Sequence, residues 1–166
     1  MTGVAAAAGV AVDQLLGEPP EGWHPVALFG TLVQRAEGRL YADRRSRGAV
    51  LVLVGAGVGA TVGLVLRRTV GPVLATVGAT AICAAGRMLD EEALRIGGLV
   101  ERGDLDGARA EVRSLVGRRA DELDEAGLSR AIVESIAENS VDAVTASLFW
   151  ATVAGAPGVL AHPKRA

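Results

Sequence analysis

Two stretches of eighteen residues, 49–66 and 69–86, carry no charged side chain, and only Arg67 and Arg68 part them. A soluble globule interrupts every face with polar residues, so such segregation is unlike one. Eighteen apolar residues is about the length a helix needs to cross a hydrocarbon core of roughly 30 Å. Arg44, Arg45 and Arg47 flank the first run, and Pro72 stands near the start of the second, where a helix tolerates proline. The sequence therefore predicts an all-α, multi-pass helical membrane protein.

Further segments fit that frame. Residues 1–17 are apolar and Ala-rich, with no Lys or Arg before Arg35 and with Asp13 interrupting the run. A signal peptide wants a positive start and a clean apolar centre, so a retained N-terminal membrane helix is expected. Residues 141–161 form a third, weaker candidate after the two uncharged runs, broken by Gly155-Ala-Pro-Gly158. The total is about four membrane segments. Between Arg35 and Arg47 lie five arginines against Glu37 and Asp43. Cationic loops stay cytoplasmic, which puts the N-terminus outside and both residues 31–48 and residues 87–140 inside. The protein is expected in the cell membrane, with the bilayer as its first partner. Half the chain is apolar, yet aromatics make up 3% and the net charge is −2. Nothing there points to nucleic acid. The single cysteine, Cys83, permits no intrachain disulfide and reads as a small core residue.

Residues 87–140 read as a cytoplasmic insertion of three amphipathic helices. Leu89, Ala93, Ile96 and Val100 recur at helical spacing, then Gly103-Asp104 stops that helix and caps the next. Leu105, Ala108, Val112 and Leu115 repeat the pattern, and a third helix starts near Asp124 with Leu128, Ile132 and Ile136 inward. The expected organisation is 1–86 membrane helices with an Arg-rich loop, 87–140 cytoplasmic helices, and 141–166 a further membrane segment.

Several motifs bear on chemistry. Gly55-x-Gly57-x-x-Ala60 after five apolar residues fits a dinucleotide fingerprint, but no carboxylate stands about twenty positions later to hold a ribose. The same glycines make Gly55-xxx-Gly59-xxx-Gly63, which lets membrane helices approach closely. No phosphate-cradling loop, zinc pattern or nucleophile signature is present. Near the N-terminus, Asp13-x-x-x-Gly17-Glu18-Pro19 leads to Trp23-His24-Pro25. His24 at a membrane boundary can move a proton near neutral pH, and Asp13 is a costly carboxylate in a membrane run. Glu134, Glu138 and Asp142 recur every fourth residue, within about 80° of arc on a helix. With Asn139 they make a dense set of hard oxygen donors, of the kind magnesium shares with phosphate. Residues alone leave two readings open for that stripe, a metal or amine site and a solvated face.

Taken in order, Asp13…Gly17-Glu-Pro…His24-Pro, Glu101-Arg-Gly-Asp-Leu-Asp-Gly-Ala-Arg109, Val116-Gly-Arg118 and Val133-Glu-Ser-Ile-Ala-Glu-Asn139…Asp142 with Leu148-Phe-Trp150 resemble the adenosylcobinamide-phosphate synthase family of cobalamin biosynthesis, the CobD/CbiB type. The resemblance implies a membrane enzyme that joins a corrinoid carboxylate, that of cobyric acid, to aminopropanol or its phosphate as an amide, with ATP and magnesium as helpers. It implies Glu138 and Asp142 as magnesium ligands, Glu134, Glu138 and His24 as catalytic groups, and Asn139, Asp13 and Glu18 as substrate-binding residues. Arg119-Ala120 stand where the family has Asp-Thr, and Ala146-Ser147 where it has a proline. Family members run about as long again, so an incomplete, N-terminal-half form is expected, self-associating or pairing with the missing C-terminal half. The alternative is a non-catalytic membrane scaffold that packs through its glycine-bearing helices and binds a partner through its helical hairpin.

Overall fold

The computed structural model describes residues 2–17, 31, 45–116 and 123–162, the side chains of 45–47 and 113–116 excepted. The described residues are helical, with no strand among them. In order they form α1 (Thr2–Leu16), α2 (Arg45–Thr69), α3 (Pro72–Ala84), α4 (Gly86–Glu101), α5 (Leu105–Val116), α6 (Glu125–Ser140), a π-helical turn (Val141–Thr145), α7 (Ala146–Ala154) and α8 (Ala156–Ala161). The chain divides into two compact units, one of Met1–Gly86 with Asp142–Ala166 and one of Arg87–Val141.

In the first unit α3 is the hub, packed against α1, α2, α7 and α8. Its core is built from small side chains: Ala6, Ala75, Ala79, Cys83, Ala151, Ala156 and Val159, with Leu148, Trp150 and Leu160 at the margin. The low aromatic content has its structural meaning here. Small residues let helix backbones come close, which is how helices associate without help from water. On α1 the buried stripe is Ala5, Gly9 and Asp13, at i, i+4 and i+8. A Cβ on Gly9 would stand 2.5 Å from Cβ of Thr80 and 2.8 Å from the carbonyl oxygen of Val77.

Among the described residues two helices are long and apolar enough to cross a membrane, Gly48–Thr69 and Pro72–Glu101. Along α2, Val50, Leu53, Val54, Val62 and Val65 stand exposed, which suits a lipid surround and not water. The remaining segments are shorter. α1 has 15 residues, about 22 Å at 1.5 Å per residue. Residues 141–161, expected as one weak span, are instead a π turn followed by helices of nine and six residues that part at Gly155, φ 65°. The dinucleotide alternative fails on the same ground: residues 50–54, which would have to be a strand, lie inside α2.

The second unit is an amphipathic three-helix cluster closed by Ile96, Ala108, Val112, Leu128 and Ile132, with Leu99, Val100, Leu105 and Ile136 around them. Gly103, φ 75°, ends the first helix, and Asp104 Oδ1 accepts from the N–H of Gly107 at 2.9 Å to start the next. Asp124 repeats the device at α6, accepting from Gly127 N–H at 2.8 Å. The Arg109 guanidinium donates twice to the Leu123 carbonyl, at 3.0 and 2.8 Å, and so ties the segment before α6 to α5.

Candidate functional site

Asp13 is the chemically most pointed residue of the first unit. It is 1% exposed on an apolar helix, and its Oδ2 accepts from the backbone N–H of Gly86 at 2.8 Å. Gly86 is the first residue of α4, where a helix leaves N–H groups without intrahelical partners and concentrates positive charge. A carboxylate arriving from another helix satisfies that group, which offsets the cost of placing it in an apolar bundle. The approach is close. A Cβ at position 86 would lie 3.0 Å from Asp13 Oδ2 and 3.0 Å from Gln14 Nε2, and 3.6 Å from the Val144 side chain. Beside this junction Ser147, 1% exposed, directs Oγ to the Cys83 carbonyl at 3.4 Å.

The acidic residues of α6 belong to the second unit. Ile132 is buried and Ile136 half-buried, and opposite them Glu134 and Glu138 are exposed. The helical count that aligns Glu134 with Glu138 ends at Ser140, because Asp142 sits in the π-helical turn. A π turn carries more residues per turn than an α-helix, so the every-fourth-residue rule does not extend to Asp142. Asn139 is half-buried and its Nδ2 donates to Ser135 Oγ at 3.4 Å. Among the described residues no three His, Cys, Asp or Glu side chains gather into a metal-binding group. Glu18 and His24 lie outside the described residues.

On the same unit Arg95 grips Glu92 at 2.7 and 3.0 Å and also pairs with Glu111. That hydrogen bond from the guanidinium holds the Glu111 carboxyl below its usual range. The pair ties α4 to α5.

Three groups that organise the first unit escape a motif search: Thr76, Ser147 and Gly86. Their signal is faint, a lone hydroxyl within an apolar run or a glycine at its end. Their partners lie 64 to 80 positions away in sequence.

Fold and site together define an all-helical protein with membrane-length segments and a polar three-helix unit. The family model for the CobD/Cbib protein matches residues 6–164, and the chain belongs to that family. It is 40% identical over 157 residues to the cobalamin biosynthesis protein CobD of Mycobacterium tuberculosis, covering 93% of this chain and 50% of the relative. Against the protein of the same name from Sinorhizobium sp the identity is 36% over 171 residues, covering 94% and 53%. For Chromobacterium violaceum it is 37% over 161 residues, covering 91% and 51%. The chain thus spans about half the length of these curated relatives. No solved structure matches it.

Proposed function

We propose that this chain supplies the first half of a membrane-bound enzyme of cobalamin biosynthesis that joins the carboxylate of cobyric acid to aminopropanol, free or phosphorylated. The observation that carries this reading is the match to cobalamin biosynthesis proteins along nearly all of the chain. A carboxylate is a poor acyl donor. Attack of the carboxylate oxygen on the γ-phosphorus of ATP would make an acyl phosphate and release ADP; the amine would then attack the carbonyl carbon, phosphate would leave, and the amine's proton would pass to a base. Glu134 and Glu138 are exposed carboxylates on α6 that would take that proton, with His24 as a further acceptor. Asn139 and Glu18 would hold substrate. Asp13 is engaged with Gly86 N–H and is better placed to position the start of α4 than to bind substrate.

Either Glu138 or Asp142 would hold magnesium, which neutralises charge on phosphate oxygens. A hard carboxylate fits that ion, which ordinarily takes one or two protein carboxylates and shares the rest of its shell with phosphate and water. The topology that goes with this reading has about four membrane segments or fewer, with residues 31–48 and 87–140 cytoplasmic, where ATP is found.

The test is conversion of cobyric acid, aminopropanol and ATP by membranes carrying this sequence, alone and joined to the second half its relatives possess. We expect product from the joined form, lost at least 100-fold in Glu138→Ala with unchanged membrane content. Full turnover by Glu138→Ala would remove the assigned site, and no turnover by the joined form would remove the function.

A further inference from the structure

The segment after Asp142 enters the first unit and turns back. α7 starts beside the C-terminal end of α3, where Ser147 Oγ meets the Cys83 carbonyl at 3.4 Å. It stops at Gly155, and there the Ala156 N–H donates to Thr76 Oγ1 at 3.2 Å, near the N-terminal end of α3. α7 is therefore antiparallel to α3. α8 does not continue in that direction. Pro157 packs on Gly63 of α2 and Leu160 on Gly59, so α8 runs against α2. Since α2 ends at the turn that begins α3, running against α2 means returning toward the end from which α7 came. The side chains agree. Gly158 lies against the Trp150 carbonyl, and the rings of Trp150 and His162 stand 6.3 Å apart.

Lengths point the same way. Nine and six residues give about 14 and 9 Å, well short of a hydrocarbon core of roughly 30 Å. Irregular backbone at membrane depth is tolerated only where protein covers it and its polar groups are bonded. Gly155, Ala156, Gly158 and Val159 are all buried. The Thr76 hydroxyl ties the break to α3, accepting from the Ala156 N–H while donating to the Pro72 carbonyl of its own helix at 2.8 Å.

We infer that residues 146–161 form a re-entrant hairpin, which brings His162 back toward the membrane face of Gly86 and Asp142. The inference rests on the membrane reading of α2 and α3 given above. Its consequence is functional: Asp142 and His162 face one compartment, with no further crossing between them.

The test uses sealed vesicles of known orientation and a Cys83→Ala background. Thr145→Cys and Val70→Cys, both at exposed positions, are reacted with a membrane-impermeant maleimide, and a protease site is placed after Ala166. We expect Thr145→Cys and the protease site to react from one face, and Val70→Cys from the other. A protease site cut from the Val70 face would overturn the hairpin while leaving the membrane reading standing. Release of the protein by alkaline carbonate, or Val70→Cys and Thr145→Cys reacting from one face, would overturn both.

Discussion

Gly57 and Gly59 sit two residues apart in α2, yet alanine should act oppositely at the two. A Cβ on Gly57 meets nothing within 4 Å. There Gly57→Ala gains helix propensity, about 0.5–1 kcal/mol. A Cβ on Gly59 would fall onto the Leu160 carbonyl, with the carbonyl carbon at 2.6 Å; at Gly63 it would lie 2.5 Å from Cα of Pro157. Both obstacles are backbone, so no rotamer change relieves them. Ordinary contact begins near 3.4 Å, and α8 must retreat by roughly 1 Å. Overpacking of that kind costs about 1–3 kcal/mol, which outweighs the propensity gain. For a chain of this size each kcal/mol moves Tm by about 2–4 °C. Purified variants in one detergent, followed by tryptophan fluorescence on heating, should therefore rank Gly57→Ala at or above the parent. Gly59→Ala and Gly63→Ala should melt several degrees below it. Equal melting of Gly57→Ala and Gly59→Ala would refute the close α2–α8 packing.

Two further outcomes concern the polar unit. Leu128 is fully buried in its core, so Leu128→Ala should cost about 2–5 kcal/mol and appear as early loss of helical signal on urea titration, with membrane insertion unchanged. The Arg95 hydrogen bond lowers the Glu111 pKa on folding. Its contribution is thus present above the unfolded carboxylate value of about 4.3 and disappears as pH falls through the lower folded value. Glu111→Gln should flatten that acid limb of the stability profile and change nothing at pH 7 beyond loss of an exposed pair; an unchanged acid limb would show that the pair is not populated.

The long apolar helices, the three-helix unit and its caps were legible because each depends on local pattern. Charge-free length marks α2 and α3, a 3.6-residue period marks α4 to α6, and Gly103-Asp104 carries both a stop and a cap in two residues. The hairpin was not legible. Gly155-Ala-Pro-Gly158 announces a break, but a break in an apolar run is equally a kink in one span. What decides is the packing of Pro157 and Leu160 on glycines almost a hundred positions earlier. Site reasoning met the same limit. The carboxylates were visible as a spacing, but the π turn that removes Asp142 from the α-helical count has no local signature. Asp13 is visibly costly in an apolar run, while the group that compensates it, a backbone N–H 73 residues on, carries no side chain to notice.

That last case bears on how such a bundle acquires one arrangement. Surfaces of alanine and glycine are nearly featureless, and one helix can slide past another with little change in apolar contact. Polar ties break the degeneracy. Thr2 Oγ1 donates to the Thr152 carbonyl at 3.1 Å at one end of α1, and Asp13 holds Gly86 N–H near the other. Ser147 reaches Cys83 where α7 begins, and Thr76 reaches Ala156 where it has ended. α1, α3 and α7 are thereby each pinned at two heights, and sliding one of them by a single turn would leave buried polar groups without partners. Interhelical bonds in membranes are modest, about 0.6–2 kcal/mol each, so none of these alone holds the bundle together. Their effect is on selection among packings of nearly equal apolar burial, where a difference of about 1.4 kcal/mol already shifts populations tenfold.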